Sequence, residues 1–187
     1  VSADAGDVRA FVALEIEARI RDAIGRLAAD LRARCPDARW SRPETVHLTL
    51  RFLGASSPAQ IESLHPALSA AAERCPASEA RVGELGSFPA RGSPRVLWLG
   101  LGLAPEILEL QKACERAAVS AGFPPETRPF RPHLTLARFR SRVTRPDLPP
   151  ADLGVTRLDR LVLFRSDTRP DGAVHTPIAR FALGGGR

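Results

Sequence analysis

One tetrapeptide, His-Leu-Thr-Leu, occurs twice without change, at 47–50 and at 133–136. No other feature restricts the fold as strongly. Side chains in a strand alternate faces, so His47 and Thr49 point one way while Leu48 and Leu50 point the other, and the second copy does the same. Each copy is a polar pair on an apolar backing. Threonine is β-branched, and both copies run on into apolar residues, Phe52 and Leu53 in one and Ala137 and Phe139 in the other. That composition favours strand over helix. Each copy also follows a proline-marked turn, at Arg42-Pro43 and Arg131-Pro132, and a long helical pattern. The copies lie 86 residues apart in a chain of 187. A repeat of nearly half the chain implies two similar lobes, each giving one His and one Thr to a shared cleft.

The rest of the chain fits that arrangement. Val8 to Leu14 reads as a strand, and Glu17 to Ala33 as an amphipathic helix with Ile20, Ile24, Leu27 and Leu31 on its apolar face. Ala38 to Ser41 is a short strand, and Val46 to Phe52 is the first motif strand, stopped by Gly54. Pro58 opens a second helix that runs to Pro76, with His65 on its surface. Glu79 to Leu85 and Val96 to Leu101 form a strand pair with Trp98 in the core. Pro105 opens a third helix that ends near Gly122. Ser141 to Asp152, rich in Pro and Arg, is expected to be a loop that touches a polynucleotide backbone. Leu158 to Arg165 and Val174 to Leu183 are the last strands, joined through Pro170-Asp171-Gly172, and 184–187 is a frayed tail. The expected fold is α+β, one two-lobed unit over 1–187, with antiparallel sheets facing a central cleft and helices outside.

Charge bears on the partner. The net charge is +6, and Lys112 is the only lysine, so the positive charge is almost all arginine. Guanidinium groups suit phosphate oxygens, and a basic balance favours a polyanion. The three cysteines (Cys35, Cys75, Cys114) lack metal-ligand spacing and read as reduced thiols, as in the cytoplasm. No apolar run approaches a membrane span. No methionine occurs, as expected of a chain that lacks its initiating residue.

Two imidazoles titrating near neutrality can divide acid and base work. With two hydroxyls and an arginine they suit in-line displacement at a phosphodiester, and no metal or other cofactor is required. A nucleophile elbow is absent, and Leu, Val and Pro flank the histidines where a zinc site would want a third ligand. A phosphate-binding module without catalysis uses the same residues, and its mark would be binding that survives loss of either imidazole.

The doubled His-x-Thr-x motif resembles the 2H phosphoesterases, and within them the bacterial and archaeal RNA 2′,3′-cyclic phosphodiesterases, historically called 2′-5′ RNA ligases. The resemblance runs nearly end to end. It includes Trp40 with Glu44 ahead of His47, Phe52-Leu53-Gly54, Pro94 to Gly100, Arg128-Pro129-Phe130, Arg138 and Leu161 to Gly172. It implies a two-lobed fold and metal-independent opening of a 2′,3′-cyclic phosphate to a 2′-phosphate, with reversible 2′-5′ ligation as a side activity. A main role in ligation is the alternative within that chemistry. By the same resemblance His47 is the proton donor and His133 the proton acceptor. Thr49 and Thr135 hold phosphate oxygens, Arg138 is the cationic clamp, and Phe52 packs against a substrate base or stays in the core. The implied partners are RNA ends bearing a cyclic phosphate or 2′-5′ linked oligonucleotides, met in the cytoplasm by a monomer. Where relatives usually carry Tyr, this chain has His175, read as cleft wall.

Overall fold

Alternating apolar runs and proline-punctuated helices become nine strands and three α-helices in the computed structural model, which describes residues 6–169 and 172–184. In chain order these are β1 (Val8–Glu15), α1 (Ala18–Leu31), β2 (Ala38–Trp40), a 3-10 turn (Pro43–Thr45), β3 (His47–Ser56), α2 (Pro58–Arg74), β4 (Ser78–Phe88), β5 (Val96–Gly102), α3 (Pro105–Ser120), β6 (His133–Phe139), β7 (Asp152–Leu158), β8 (Arg160–Arg169) and β9 (Gly172–Ala182). The sheet is antiparallel throughout, in the order β7-β4-β5-β6-β3-β1-β8-β9, with β2 added to β6.

The α+β class and the two lobes are present, and two details differ from expectation. The lobes share one curled sheet, because the motif strands β3 and β6 meet at the single pair Leu48–Leu134. They are also not sequential halves. The C-terminal hairpin β8–β9 returns to pair with β1 in the first lobe. The reason is burial: β1 is buried from Ala10 to Leu14, so both its edges need partners, and the apolar run Leu161–Phe164 supplies the second.

Helices cover one face of the sheet. Leu48, Leu50, Leu134 and Leu136 are buried there, in one core with Ile20, Ile24 and Leu31 of α1, Leu64 and Leu68 of α2, and Ile107, Leu110 and Cys114 of α3. Burying each such side chain contributes about 1.5–3 kcal/mol. α2 starts on a capping box: Gln60 N donates to Ser57 Oγ (3.3 Å) and Ser57 N to Gln60 Oε1 (3.1 Å). On the opposite face a small cluster of Phe11, Ala13, Val162 and Phe164 paves the cleft floor in the first lobe.

Other expectations are corrected by register. β3 does not stop at Gly54. A bulge at Leu53 lets the strand continue to Ser56, with Gly54 at φ 77°, where a side chain would be strained. Asp152–Leu158 is a strand, not the end of a loop, because its alternating residues zip onto the free edge of β4. Trp98 is not in the helix-side core. It sits opposite Thr135, half-buried on the cleft face, and its indole lies so close over Gly86 that any Cβ there would collide. Arg145 is committed to structure: it donates to Ser87 Oγ and to the carbonyls of Pro89 (3.0 Å) and Gly92 (3.1 Å). It therefore pins the β4–β5 connection, and of the two arginines in that loop only Arg142 makes no such contact among the described residues. His65 is exposed, edge-on to Phe181, and the three cysteines are buried and free. The turn at Pro170-Asp171 and the tail beyond Gly184 lie outside the described residues.

Candidate active site

The first seven residues of β3 and of β6 have the same burial sequence: half-buried His and Thr, buried leucines, a second buried residue, an exposed one, a buried one. Strict alternation would place Arg51 and Ala137 on the His/Thr face. Each strand instead has a bulge at the fourth motif residue. Thr49 pairs with Ala13 and Arg51 with Val12, leaving Leu50 extra; Thr135 pairs with Trp98 and Ala137 with Leu97, leaving Leu136 extra. The bulge flips the phase, so Phe52 and Arg138 rejoin the face of the histidines. The two candidate binding residues are thus counterparts, a phenyl ring in one lobe where the other has a guanidinium.

Phe52 is 57% exposed and lines the cleft, so it is not a core residue. Extending the antiparallel Leu48–Leu134 pair places His47 opposite Thr135 and Thr49 opposite His133. All four line one cleft of about 450 Å3. Arg9, Arg39, Arg42, Arg138 and Arg169 line it too, and no Asp or Glu is among its described lining residues. Among the described residues neither threonine hydroxyl has a hydrogen-bond partner.

The imidazoles are fixed the same way. His47 Nδ1 lies 2.7 Å from the carbonyl of Thr45, and His133 Nδ1 lies 2.7 Å from that of Arg131, each two residues upstream. A carbonyl only accepts, so each Nδ1 carries the hydrogen and each Nε2 is left for proton transfer. Rings complete the supports. Phe11 stacks on His47 (4.7 Å, 24°), His175 meets His47 edge-on (5.3 Å, 86°), and Phe88 meets His133 edge-on (5.1 Å, 89°).

Burial lowers the pKa of His47 to about 4. The Thr45 carbonyl opposes this, and repulsion from His175 and His133 adds to it. His133 is also lowered, first by burial, against the Arg131 carbonyl, and then by the nearby Arg138 cation. Burial lowers His175 as well. Burial in the cleft therefore disfavours a protonated imidazole.

Two residues of this site escaped sequence reasoning. Phe11 looks like any apolar residue of β1 until the register with β3 is known. Arg51 is 7% exposed, ion-paired with Glu115 of α3, and donates to the carbonyls of Phe52 and Pro124. It ties the first motif strand to α3 and to the segment that leads into the second. Its signal was an arginine where the other copy has Ala137. Among the described residues no group of three or more His, Cys, Asp or Glu side chains is placed to hold a metal ion, and no helix is long and apolar enough to cross a membrane.

The chain matches the family described as LigT like Phosphoesterase over residues 14–98 and 101–175. It is similar to a protein of Geobacillus stearothermophilus named RNA 2′,3′-cyclic phosphodiesterase, with 34% identity over 92% of this chain; the match spans 56% of that longer relative. A protein of the same name from Thermus thermophilus is 31% identical over 95% of this chain and 91% of its own length. Among solved structures, E. coli LigT in complex with 3′-AMP superposes with a TM-score of 0.81 and 26% identity, over 95% of this chain and 98% of that one. With paired His-x-Thr strands facing one cleft and this match across both lobes, the chain is a phosphoesterase that belongs to the LigT-like branch of the 2H phosphoesterases.

Proposed function

We propose that this enzyme opens the 2′,3′-cyclic phosphate at the end of an RNA chain to a 2′-phosphate, with the two motif imidazoles as acid and base and no metal ion. The observation that carries the reading is the pair of His-x-Thr strands, alike in burial, bulge and Nδ1 anchoring, facing one arginine-rimmed cleft without described carboxylates. That chemistry attracts a phosphate. The relatives named RNA 2′,3′-cyclic phosphodiesterase support the substrate class.

His133 Nε2 takes a proton from water, and the oxygen attacks phosphorus in line with the departing ribose O3′. As the P–O3′ bond breaks, His47 Nε2 gives its proton to that oxygen. The product is a 2′-phosphomonoester with a free 3′-hydroxyl, and proton exchange with solvent resets the pair. Thr49, Thr135 and Arg138 hold the non-bridging oxygens as charge builds on them. Burial keeps His47 neutral at neutral pH. The bound phosphodiester anion supplies the opposite charge that favours its protonated form.

The roles separate by leaving group. An alkoxide needs a proton to depart and a nitrophenolate does not. His47→Ala loses about 10²- to 10⁴-fold on the cyclic phosphate and recovers most of it on a nitrophenyl phosphodiester that the parent also cleaves. His133→Ala stays slow on both. Rescue of the His133 variant alone would exchange the two roles, and rescue of neither would end this division of labour.

A further inference from the structure

A second cavity of about 550 Å3 adjoins the cleft and shares His47 and His175 with it. Strand register places it. Phe52 pairs with Phe11, toward the start of β1, whereas His47 pairs with Glu15 at the end of β1. Arg160 and Arg180, at the matching ends of β8 and β9, extend the same floor. Phe52 and the second cavity therefore lie on opposite sides of His47 along the sheet.

The second cavity is cationic. Glu15 is held by Arg160 (3.5 Å) and Arg180 (3.4 Å), which leaves net positive charge at that trio. Arg21 of α1 faces the same space and has no ion pair among the described residues. Exposed Glu44 at the rim is the opposing charge.

A ribose has two ends. When its 2′,3′ edge meets the histidines, the base leaves from C1′, next to the 2′ side, and the chain continues from C4′ and C5′, next to the 3′ side. Because His47 protonates O3′, the 5′ phosphate must leave on the His47 side, away from the base. We propose that the second cavity binds the phosphodiester on the 5′ side of the terminal nucleotide, with Arg21 as its main contact and the base directed toward Phe52. The proposal rests on the cyclic-phosphate reading with His47 as the acid. Under it the enzyme selects an RNA end over a free cyclic mononucleotide, and the selecting groups lie outside the catalytic cleft.

The test compares kcat/KM for cytidine 2′,3′-cyclic phosphate, which has no 5′ phosphate, with that for the dinucleotide CpC ending in the same cyclic phosphate. The parent prefers the dinucleotide by about tenfold or more, the scale of one charge-assisted phosphate contact. Arg21→Gln brings the ratio toward one, Arg21→Lys restores part of it, and Glu44→Gln raises it. The opposite signs of the Arg21 and Glu44 variants separate the proposal from a fold defect. Equal parental rates on the two substrates, or a ratio that ignores Arg21, overturn the subsite and leave the cyclic-phosphate reading intact. No opening of either substrate overturns both.

Discussion

His47 should make the fold sensitive to acid by an amount its surroundings set. Burial between Phe11 and His175 lowers its pKa from 6.5 to about 4, so the folded chain holds that proton a few hundred times less tightly than the unfolded chain. Above about pH 6.5 the residue is neutral in both states. As pH falls through 6.5 toward 4, the unfolded chain takes up the proton first, and stability is lost by up to about 3 kcal/mol, most of it gone near pH 4.5. His133 and His175 are lowered too and act in the same direction. The parent alone therefore does not isolate His47. The assay is urea unfolding of the parent and of His47→Gln at a series of pH values from 7.5 to 4.5, with the His47 ring followed by NMR. The difference between the two proteins should change by about 2 to 3 kcal/mol across that range, the parent losing more. Parallel stability curves, or a His47 titration midpoint at or above 6.5, would refute the reasoning.

Two side chains give further predictions. Arg51→Ala should destabilise the fold by about 2 to 3 kcal/mol in denaturant titration, because it removes a buried guanidinium that pairs with part-buried Glu115 and holds the carbonyls of Phe52 and Pro124, and a cost under about 1 kcal/mol would show the pair is solvated. Arg138→Ala should slow turnover of the cyclic phosphate more than Arg138→Lys does. It should also raise the titration midpoint of the His133 ring followed by NMR, because a cation that lowers His133 has gone; an unmoved midpoint would detach Arg138 from His133.

The parts of the fold that depend on local pattern were legible in the sequence. The repeated tetrapeptide placed both motif strands and the sharing of two His and two Thr by one cleft. What escaped it depends on register. The bulges at Leu50 and Leu136 decide that Phe52 and Arg138 face the cleft, and they exist only relative to β1 and β5. β7 was hidden because Gly154, at φ 82°, and the prolines before it resemble a loop, and its one described partner strand, β4, is far away in sequence. Arg145 reads as a loop cation until the carbonyls of Pro89 and Gly92 are seen around it. His175 was read as wall because its neighbours carry no motif, yet pairing of β9 with β8 sets it edge-on to His47. The return of β8–β9 to the first lobe was the largest departure, since a sequence repeat suggests sequential halves and the burial of β1 requires otherwise.

The most direct measurement is product analysis on a short RNA ending in a 2′,3′-cyclic phosphate, incubated with the enzyme in excess chelator and resolved by phosphorus NMR. The cyclic phosphate should convert completely to a 2′-phosphate with a free 3′-hydroxyl, and His47→Ala and His133→Ala should each leave it intact over the same time. A 3′-phosphate product, an unreacted end, or turnover that chelator abolishes and a single divalent ion restores would contradict the account.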